Sequence, residues 1–310
     1  MYTTPDTTVL TRSACVAALI ATLSGTAVAA PNTAPAEPEL QSYSVDFEAK
    51  VSSDRRTNGL SDTYRRPGAE LSMTAVHESG LLAYLQLGTV AKENFPDGDR
   101  TTAVASVGYR WGNPNAWHFG TGVAQEMFPH AKVEAYTTLT DLFGQVPNET
   151  TKFDTTYGVF EFGYGIFEAR YLLVMSRDFR GMNTSVVCSS AAQIANAQGD
   201  ATFAEAISCY DQGYHHSRGS QLLSIDAKFP VASNTKLITH LGYTKVNHFR
   251  MGDTLDYKLG VLHTRWGFDF EADVVGGLMR NDYYGMTVNK NGDIKHMDRA
   301  ALVASIAKRF

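Results

Sequence analysis

Apolar and polar residues alternate along most of the chain after residue 42. In residues 43–51, for example, Tyr43, Val45 and Phe47 alternate with polar side chains. A period of two is typical of β-strands whose two faces meet different surroundings. The alternation recurs in twelve segments that we predict to be strands: 43–51, 69–77, 81–90, 102–111, 116–126, 157–164, 166–176, 220–230, 235–246, 254–265, 267–279 and 300–310.

The connections between these segments alternate between short and long. Short periplasmic turns and longer outer loops are typical of a bacterial outer-membrane barrel, which contains an even number of strands. We therefore predict an all-β fold, a transmembrane antiparallel up-and-down β-barrel of about 12 strands. A thirteenth candidate, residues 131–140, is assigned to the third outer loop, and its place in the barrel is left open. The longer connections are 52–67, 91–101, 127–155, 177–219, 247–253 and 280–299.

The last segment ends on Phe310. In a membrane barrel the final strand must pair with the first, because an open sheet edge cannot be tolerated in lipid. We expect Phe310 to mark this closing strand and the C-terminal strand to contact the barrel-assembly machinery. The alternative for these residues alone is an ordinary terminal strand of a soluble β-sandwich.

One side of the strands is apolar and is predicted to face lipid, with an aromatic girdle at the ends near the short turns. In a soluble protein the same aromatic residues would instead fill a core. The girdle residues are Tyr43, Trp111, Trp117, Tyr164, Phe229, Trp266 and Phe310.

The opposite side of the strands is charged. So many charges in a sealed core would each be costly unless paired, whereas a water-filled lumen accommodates them. Eleven of the seventeen residues are acidic and six are basic, which predicts a mild cation preference if the lumen is open. If they pair across neighbouring strands, they could instead plug the barrel. The predicted lumen-lining residues are Asp46, Glu48, Lys50, Glu70, Arg110, Glu126, Glu161, Glu168, Arg170, Asp226, Lys228, Asp256, Lys258, Asp269, Glu271, Asp273 and Arg309.

The N-terminus indicates export. A weakly basic start, a short apolar run and small residues before Ala29 predict a signal peptide over residues 1–29, followed by a Pro-rich and Ala-rich periplasmic leader over 30–42 and the barrel over 43–310. In an exported protein the oxidising compartment favours a disulfide between Cys188 and Cys209. The alternatives, a metal ligand or a catalytic thiol, are less favoured because the two residues lack a CxxC spacing. The net charge of −5 argues against nucleic acid as a partner.

The sequence contains no local motif of a hydrolase, a metalloenzyme or a nucleotide-binding protein. We therefore predict no catalytic residue, metal or cofactor, and no enzymatic activity. A lipid hydrolase that assembles Ser and His from separate strands remains a less favoured alternative, since such a site leaves no local signature.

Several short motifs resemble the TorF family of porin-like proteins. They are Ser53-Asp54-Arg55-Arg56, Gly59-Leu60-Ser61, Arg66-Pro67, Glu78-Ser79-Gly80 with the strand that follows, Asp256-Tyr257-Lys258-Leu259-Gly260-Val261 and the closing Lys308-Arg309-Phe310. The chain departs from the family pattern at Arg55, where a Tyr is usual, and by the extra Thr57-Asn58. The resemblance implies a small outer-membrane porin with no established substrate.

The sequence therefore predicts a porin-like channel in the bacterial outer membrane that passes small hydrophilic solutes by diffusion. Outer-membrane lipid and lipopolysaccharide are the expected surroundings. Arg55, Arg56, Arg65 and Arg66 are expected to pair with neighbouring loops or with lipopolysaccharide, in preference to narrowing the pore. The main alternative is a plugged structural or adhesive barrel that presents its surface loops.

Overall fold

A computed structural model describes residues 43–113, 116–134, 149–289 and 291–310. The predicted signal peptide and leader lie outside these residues. The described chain forms twelve long strands: β1 (Tyr43–Ser52), β2 (Gly68–His77), β3 (Leu81–Thr89), β4 (Thr101–Gly112), β5 (Trp117–Met127), β6 (Thr155–Tyr164), β7 (Phe167–Val174), β8 (Gln221–Ala232), β9 (Thr235–Lys245), β10 (Thr254–Arg265), β11 (Phe268–Met279) and β12 (Ala301–Arg309).

Each long strand pairs antiparallel with its neighbours in the chain, and β12 pairs with β1 to close the ring. Glu48 lies opposite Arg309, and Ser52 lies opposite Ser305. The prediction of a closed twelve-stranded barrel is confirmed, and every predicted segment coincides with one strand. Within the thirteenth candidate, Lys132–Glu134 pairs with Thr150–Lys152 in a separate small sheet, while residues 135–140 lie outside the described residues.

The outer surface of the ring is apolar. Leu71, Phe160, Leu223 and Leu259 are all exposed, although they would be buried in a water-soluble core. A closed ring with this exterior satisfies its backbone hydrogen bonds internally and is the form in which strands cross a membrane. The chain therefore has the architecture of a bacterial outer-membrane barrel.

The aromatic girdle occupies the end of the barrel with the short turns. Six of its seven predicted residues are exposed, and Trp266 is the most exposed at 77%. Phe229 differs because it is only partly exposed and its ring lies 6.1 Å from that of Phe167. The exposed members are Tyr43, Trp111, Trp117, Tyr164, Trp266 and Phe310.

The longest outer loop, residues 177–219, contains two helices that the alternation did not predict. Helix α1 (Thr184–Gln198) begins at Asn183, whose side chain accepts a hydrogen bond from Val186 N, and ends at Gly199 in the left-handed conformation with a φ of 73°. Helix α2 is Ala204–Tyr210. The predicted Cys188–Cys209 disulfide is confirmed and joins the two helices. Neither helix, nor any other among the described residues, is long and apolar enough to cross a membrane.

These helices pack over one side of the outer end of the barrel. The buried cluster beneath them combines loop residues such as Phe179 and Cys188 with Tyr157, Val174 and Leu222 from the inner faces of the strands. The remaining outer elements are short: Arg56–Thr57 pairs with Leu60–Ser61, Met286–Val288 pairs with Ile294–His296, and 3₁₀ turns occupy Arg250–Gly252 and Asp282–Gly285.

Candidate functional site: the charged inner wall and its outer end

All seventeen charged residues predicted for the lumen lie on strands, at positions that alternate with the membrane-facing side chains. On β11, for example, Asp269, Glu271 and Asp273 alternate with Phe268 and Phe270. The inner wall of the ring is therefore strongly charged, and the acidic residues remain in excess. The ion pairs among these residues differ around the ring.

A first group joins β1, β11 and β10. Lys50 Nζ lies 3.1 Å from Glu271 Oε2, and Lys258 Nζ lies 2.9 Å from Glu271 Oε1. Lys50 reaches across β12, where the inward residues Ser305 and Ala307 are small. One carboxylate thus receives two ammonium groups from strands on either side of it.

A second group is centred on His240 of β9, a residue absent from the predicted set. Its Nδ1 lies 2.8 Å from Asp226 Oδ1 and its Nε2 lies 2.7 Å from Asp256 Oδ1. The imidazole therefore bridges carboxylates from β8 and β10. The alternation could have predicted this residue, because His240 alternates with the outward-facing side chains of β9 and so belongs to its inner face.

A third group lies on β4, β5 and β6. Arg110 Nη2 pairs with Glu161 Oε1, and His118 Nε2 lies 3.5 Å from the same oxygen. By contrast, Glu168 and Arg170 pair along one strand and are both well exposed. The charges of the wall are thus mostly bound to neighbours on the wall itself.

Glycines on the inner face give these side chains room to lie flat. A Cβ at Gly242 would meet the Asp256 carboxylate, and one at Gly260 would meet the Asp273 carboxylate. A Cβ at Gly163 would likewise meet the imidazole ring of His118. Because these side chains lie over neighbouring backbone, they extend along the wall instead of across the lumen.

The first outer loop, residues 53–67, folds over the outer end of the barrel. Arg55 Nη1 lies 2.5 Å from Asp62 Oδ2, and its Nε lies 3.2 Å from Glu70 Oε2 on β2. At the loop tip, a Cβ on Gly59 would meet Gly276 of β11 and Asp256 of β10, so the loop backbone lies close against these two strands. The loop therefore lies across the opening from β2 to β10.

The contacts of Arg55 and Arg56 correct the expectation that they face other loops or lipopolysaccharide. Arg56 Nε lies 2.7 Å from Asp54 Oδ2, and its Nη1 donates to the carbonyl oxygens of Val275 and Arg299. Both guanidinium groups are buried among partners of the loop and the wall. The expectation fails because the loop turns inward at its tip, where Asn58 has a φ of 50°, and brings both arginines to partners of the loop and the wall.

The expectation holds for Arg66. Its guanidinium pairs with Glu93 of the next outer loop and lies 5.1 Å from the ring centroid of Tyr64. Arg65 is exposed, and its backbone N–H donates to Ser61 Oγ. The four arginines thus divide into two that hold the loop inward and two at its outer side.

The long helical loop approaches the same place from the opposite side of the ring. Arg180 Nε lies 3.0 Å from Glu126 Oε2, and Tyr157 Oη donates to the same oxygen over 2.8 Å. Burial lowers the pKa of Arg180, but Glu126 and Asp62 raise it more strongly, so this guanidinium stays charged. The outer opening is therefore bounded by two loops that carry interacting charges.

The described residues contain no group of three or more His, Cys, Asp or Glu side chains that could hold a metal ion. His77 Nδ1 lies 2.8 Å from Ser79 Oγ in the first periplasmic turn, where the two residues are two positions apart, His77 partly exposed and Ser79 exposed. This contact arises from the turn itself. The absence of enzymatic activity remains a prediction.

No protein-family model matches the chain, and no curated protein sequence matches it. The solved structures similar to it include a KdgM porin, with 6% identity, 86% of this chain and 98% of that chain covered, and a TM-score of 0.41. The KdgM porin in complex with disordered oligogalacturonate has 6% identity, covers 86% of this chain and 98% of its own, and has a TM-score of 0.43. An outer-membrane channel from Pseudomonas putida F1 has 9% identity, covers 86% of this chain and 95% of its own, and has a TM-score of 0.39. Similarities this distant carry no conclusion about function, and the resemblance to the TorF family remains a prediction.

Proposed function

We propose that the protein is a porin-like channel through which small hydrophilic solutes diffuse across the outer membrane, with a mild preference for cations. The observation that carries this proposal is the charged inner wall, whose side chains lie along the strands over glycines. A barrel that served only as a solid plug would gain nothing from inner glycines that keep the charged groups against the wall.

Selection would depend on width and charge. The first loop reduces the outer opening, and the acidic excess of the wall attracts cations and repels anions at close range. Asp46 on β1 is exposed and forms no direct ion pair with the described residues, although Arg309 is near enough to interact with its charge. Contacts with lipopolysaccharide, and with the assembly machinery through the C-terminal strand, belong to the same proposal.

The test is the current through purified protein in planar bilayers that separate unequal KCl concentrations. We expect discrete channel currents and a reversal potential displaced toward that of K⁺. Asp46→Asn should reduce this displacement, because it removes an unpaired negative charge from the wall. Asp97→Asn makes the same chemical change in an exposed outer loop and should leave the displacement unaltered. If no current flows at any voltage, the channel proposal is wrong.

One observation favours a second function. The first loop lies across the outer end and is held by buried ion pairs, as in a plugged barrel that presents its loops for adhesion or structural support. Such a barrel should carry no current, and it should remain closed when Arg55 and Arg56 are both replaced by Gln. A channel narrowed by the loop should instead conduct more after that replacement.

A further inference from the structure

On one side of the barrel, basic residues lie next to the membrane-facing apolar residues, toward the outer end of the strands. On β9 the outward side chains run from Leu241 and Tyr243 to Lys245, and after β11 they run from Leu278 to Arg280. The registers place Tyr243 opposite Leu255, and Leu255 opposite Leu278, so these apolar residues form one row. The next outward positions at the outer end are basic on both β9 and β11.

Arg250 lies in the connection between these strands. It is exposed in the 3₁₀ turn Arg250–Gly252, which joins the end of β9 to the start of β10. Arg280 N donates to Asp253 O over 3.0 Å, so the end of β11 lies beside this turn. Lys245, Arg250 and Arg280 are therefore brought to one edge of the barrel, which we name the basic rim.

The basic rim is not neutralised by the protein around it. None of its three side chains takes part in an ion pair with the residues that the structure describes, whereas Arg55, Arg110 and Arg180 all do. Two carboxylates lie nearby. Asp253 is 7% exposed and accepts hydrogen bonds from Val246 N and Tyr243 Oη, while Asp282 is exposed at the start of its own short turn.

None of the other strands has a basic residue at the corresponding outward position. These positions are Ser53, Pro67, Thr89, Thr101, Met127, Asp154, Met175, Gln221, Asp253 and Ala300. A purely generic interaction with the membrane surface would not require the cations to collect at β9 and β11. The asymmetry indicates a ligand that binds at one place on the circumference.

The geometry points to a binding surface for lipopolysaccharide, in which Lys245, Arg250 and Arg280 bind the lipid A phosphates and the acyl chains lie against Tyr243, Leu255 and Leu278. The ligand must combine an anionic head with hydrocarbon, because the cations stand immediately above exposed apolar residues. The surface rests on the lipopolysaccharide contacts proposed above and gives them a place on the barrel, but it does not depend on conduction. It requires only that the barrel sits in an outer membrane, so it can hold whether or not current flows.

The test measures binding of fluorescent lipid A to the full chain in detergent, for wild type and for the triple variant Lys245→Gln, Arg250→Gln and Arg280→Gln. The matched control replaces Lys92, Arg100 and Lys152 with Gln, an equal loss of charge from exposed outer positions elsewhere. We expect the triple variant to bind at least tenfold more weakly and the control to bind within twofold of wild type. Unchanged migration of unheated samples in gel electrophoresis verifies that each barrel is folded.

Two further ligands identify the chemistry. Dephosphorylated lipid A should bind wild type as weakly as phosphorylated lipid A binds the triple variant. Inorganic phosphate at millimolar concentration should not displace lipid A, because it lacks the acyl chains. Equal weakening in the triple variant and the control, strong binding of dephosphorylated lipid A, or displacement by inorganic phosphate would each overturn the proposal.

Discussion

Asp62 lies where the first outer loop meets charges from the opposite side of the ring. Its side chain is buried, its carboxylate accepts hydrogen bonds from Arg55 and Thr57, and Arg180 and Glu126 contribute to the field around it. Burial raises the pKa of this carboxyl group, and the two guanidinium groups only partly oppose that effect. The position of the loop is thereby linked to pH.

The sign of this linkage gives a prediction. Since docking of the loop raises the pKa of Asp62, protonation of Asp62 favours the docked loop. The stabilisation of the docked loop by this proton is complete below the ordinary pKa of Asp and is lost as the pH rises through the raised pKa of Asp62. Conductance should therefore fall on acidification. In Asp62→Asn, which cannot titrate there and keeps an oxygen for Arg55, the acid-dependent fall should be smaller. Planar bilayer recordings between pH 7 and pH 4 measure both profiles.

The other acidic residues of the lumen titrate in both proteins, so the difference between the two profiles is the quantity to compare. Asp97→Asn, in an exposed loop, serves as the control and should keep the wild-type profile. Identical profiles for wild type and Asp62→Asn would show that docking of the loop does not depend on this carboxyl group.

At the residue scale, alternation in the sequence assigns each side chain to one face of its strand but does not say which side chains pair. Alternation alone assigns Lys50 and Glu271 to the inner face, since it depends only on the period of a strand. Their contact depends on the register across β12 and on the small Ser305 and Ala307 between them. Register is a property of the closed ring, and no local pattern contains it.

The helical loop is the element that the sequence concealed. Its main helix consists largely of Ala, Ser and Val, and most of its side chains are buried. It therefore lacks the polar stripe that marks an amphipathic helix at a surface. The strands were easier to predict because hydrocarbon on one side and charged residues on the other impose a clear period of two. Asn183 and Gly199 were the local signals of the helix ends.

Removal of the disulfide should loosen this loop without opening the barrel. Cys188 and Cys209 close a loop of 21 residues, and a cross-link of this size stabilises by roughly 3 kcal/mol through chain entropy. Cys188→Ser with Cys209→Ser should therefore be cleaved faster by protease within residues 177–219. The rate of cleavage on a gel measures this effect.

The barrel of this double variant should still migrate as a folded species before heating, because the hydrogen bonds between its strands are untouched. Wild-type protein treated with a thiol reductant is the matched comparison and should be cleaved at the same increased rate. Equal cleavage of the oxidised wild type and the variant would mean that the packing of the helices, and not the cross-link, holds the loop.

At the scale of the whole molecule, closure depends on the shortest of the strand pairings. β1 and β12 share five paired residues, whereas β10 and β11 share twelve. The seam is reinforced by Arg309, whose Nε lies 2.8 Å from Glu48 Oε2, but this pair is largely exposed and contributes at most about 1 kcal/mol. Backbone hydrogen bonds must therefore supply most of the stability of the seam.

A proline at the centre of the seam should prevent closure. Ala307 lies between Lys50 on β1 and Asp269 on β11, so Ala307→Pro removes an N–H from a strand paired on both sides and costs about 3 kcal/mol or more. Ala232→Pro is the control, since that residue ends β8 beside a bulge and a turn. The control should fold and show heat-dependent migration on gels, whereas Ala307→Pro should migrate as unfolded chain at every temperature. If Ala307→Pro also folds, pairing of β1 with β12 is not what limits closure, and the stability of the ring must reside in its longer pairings.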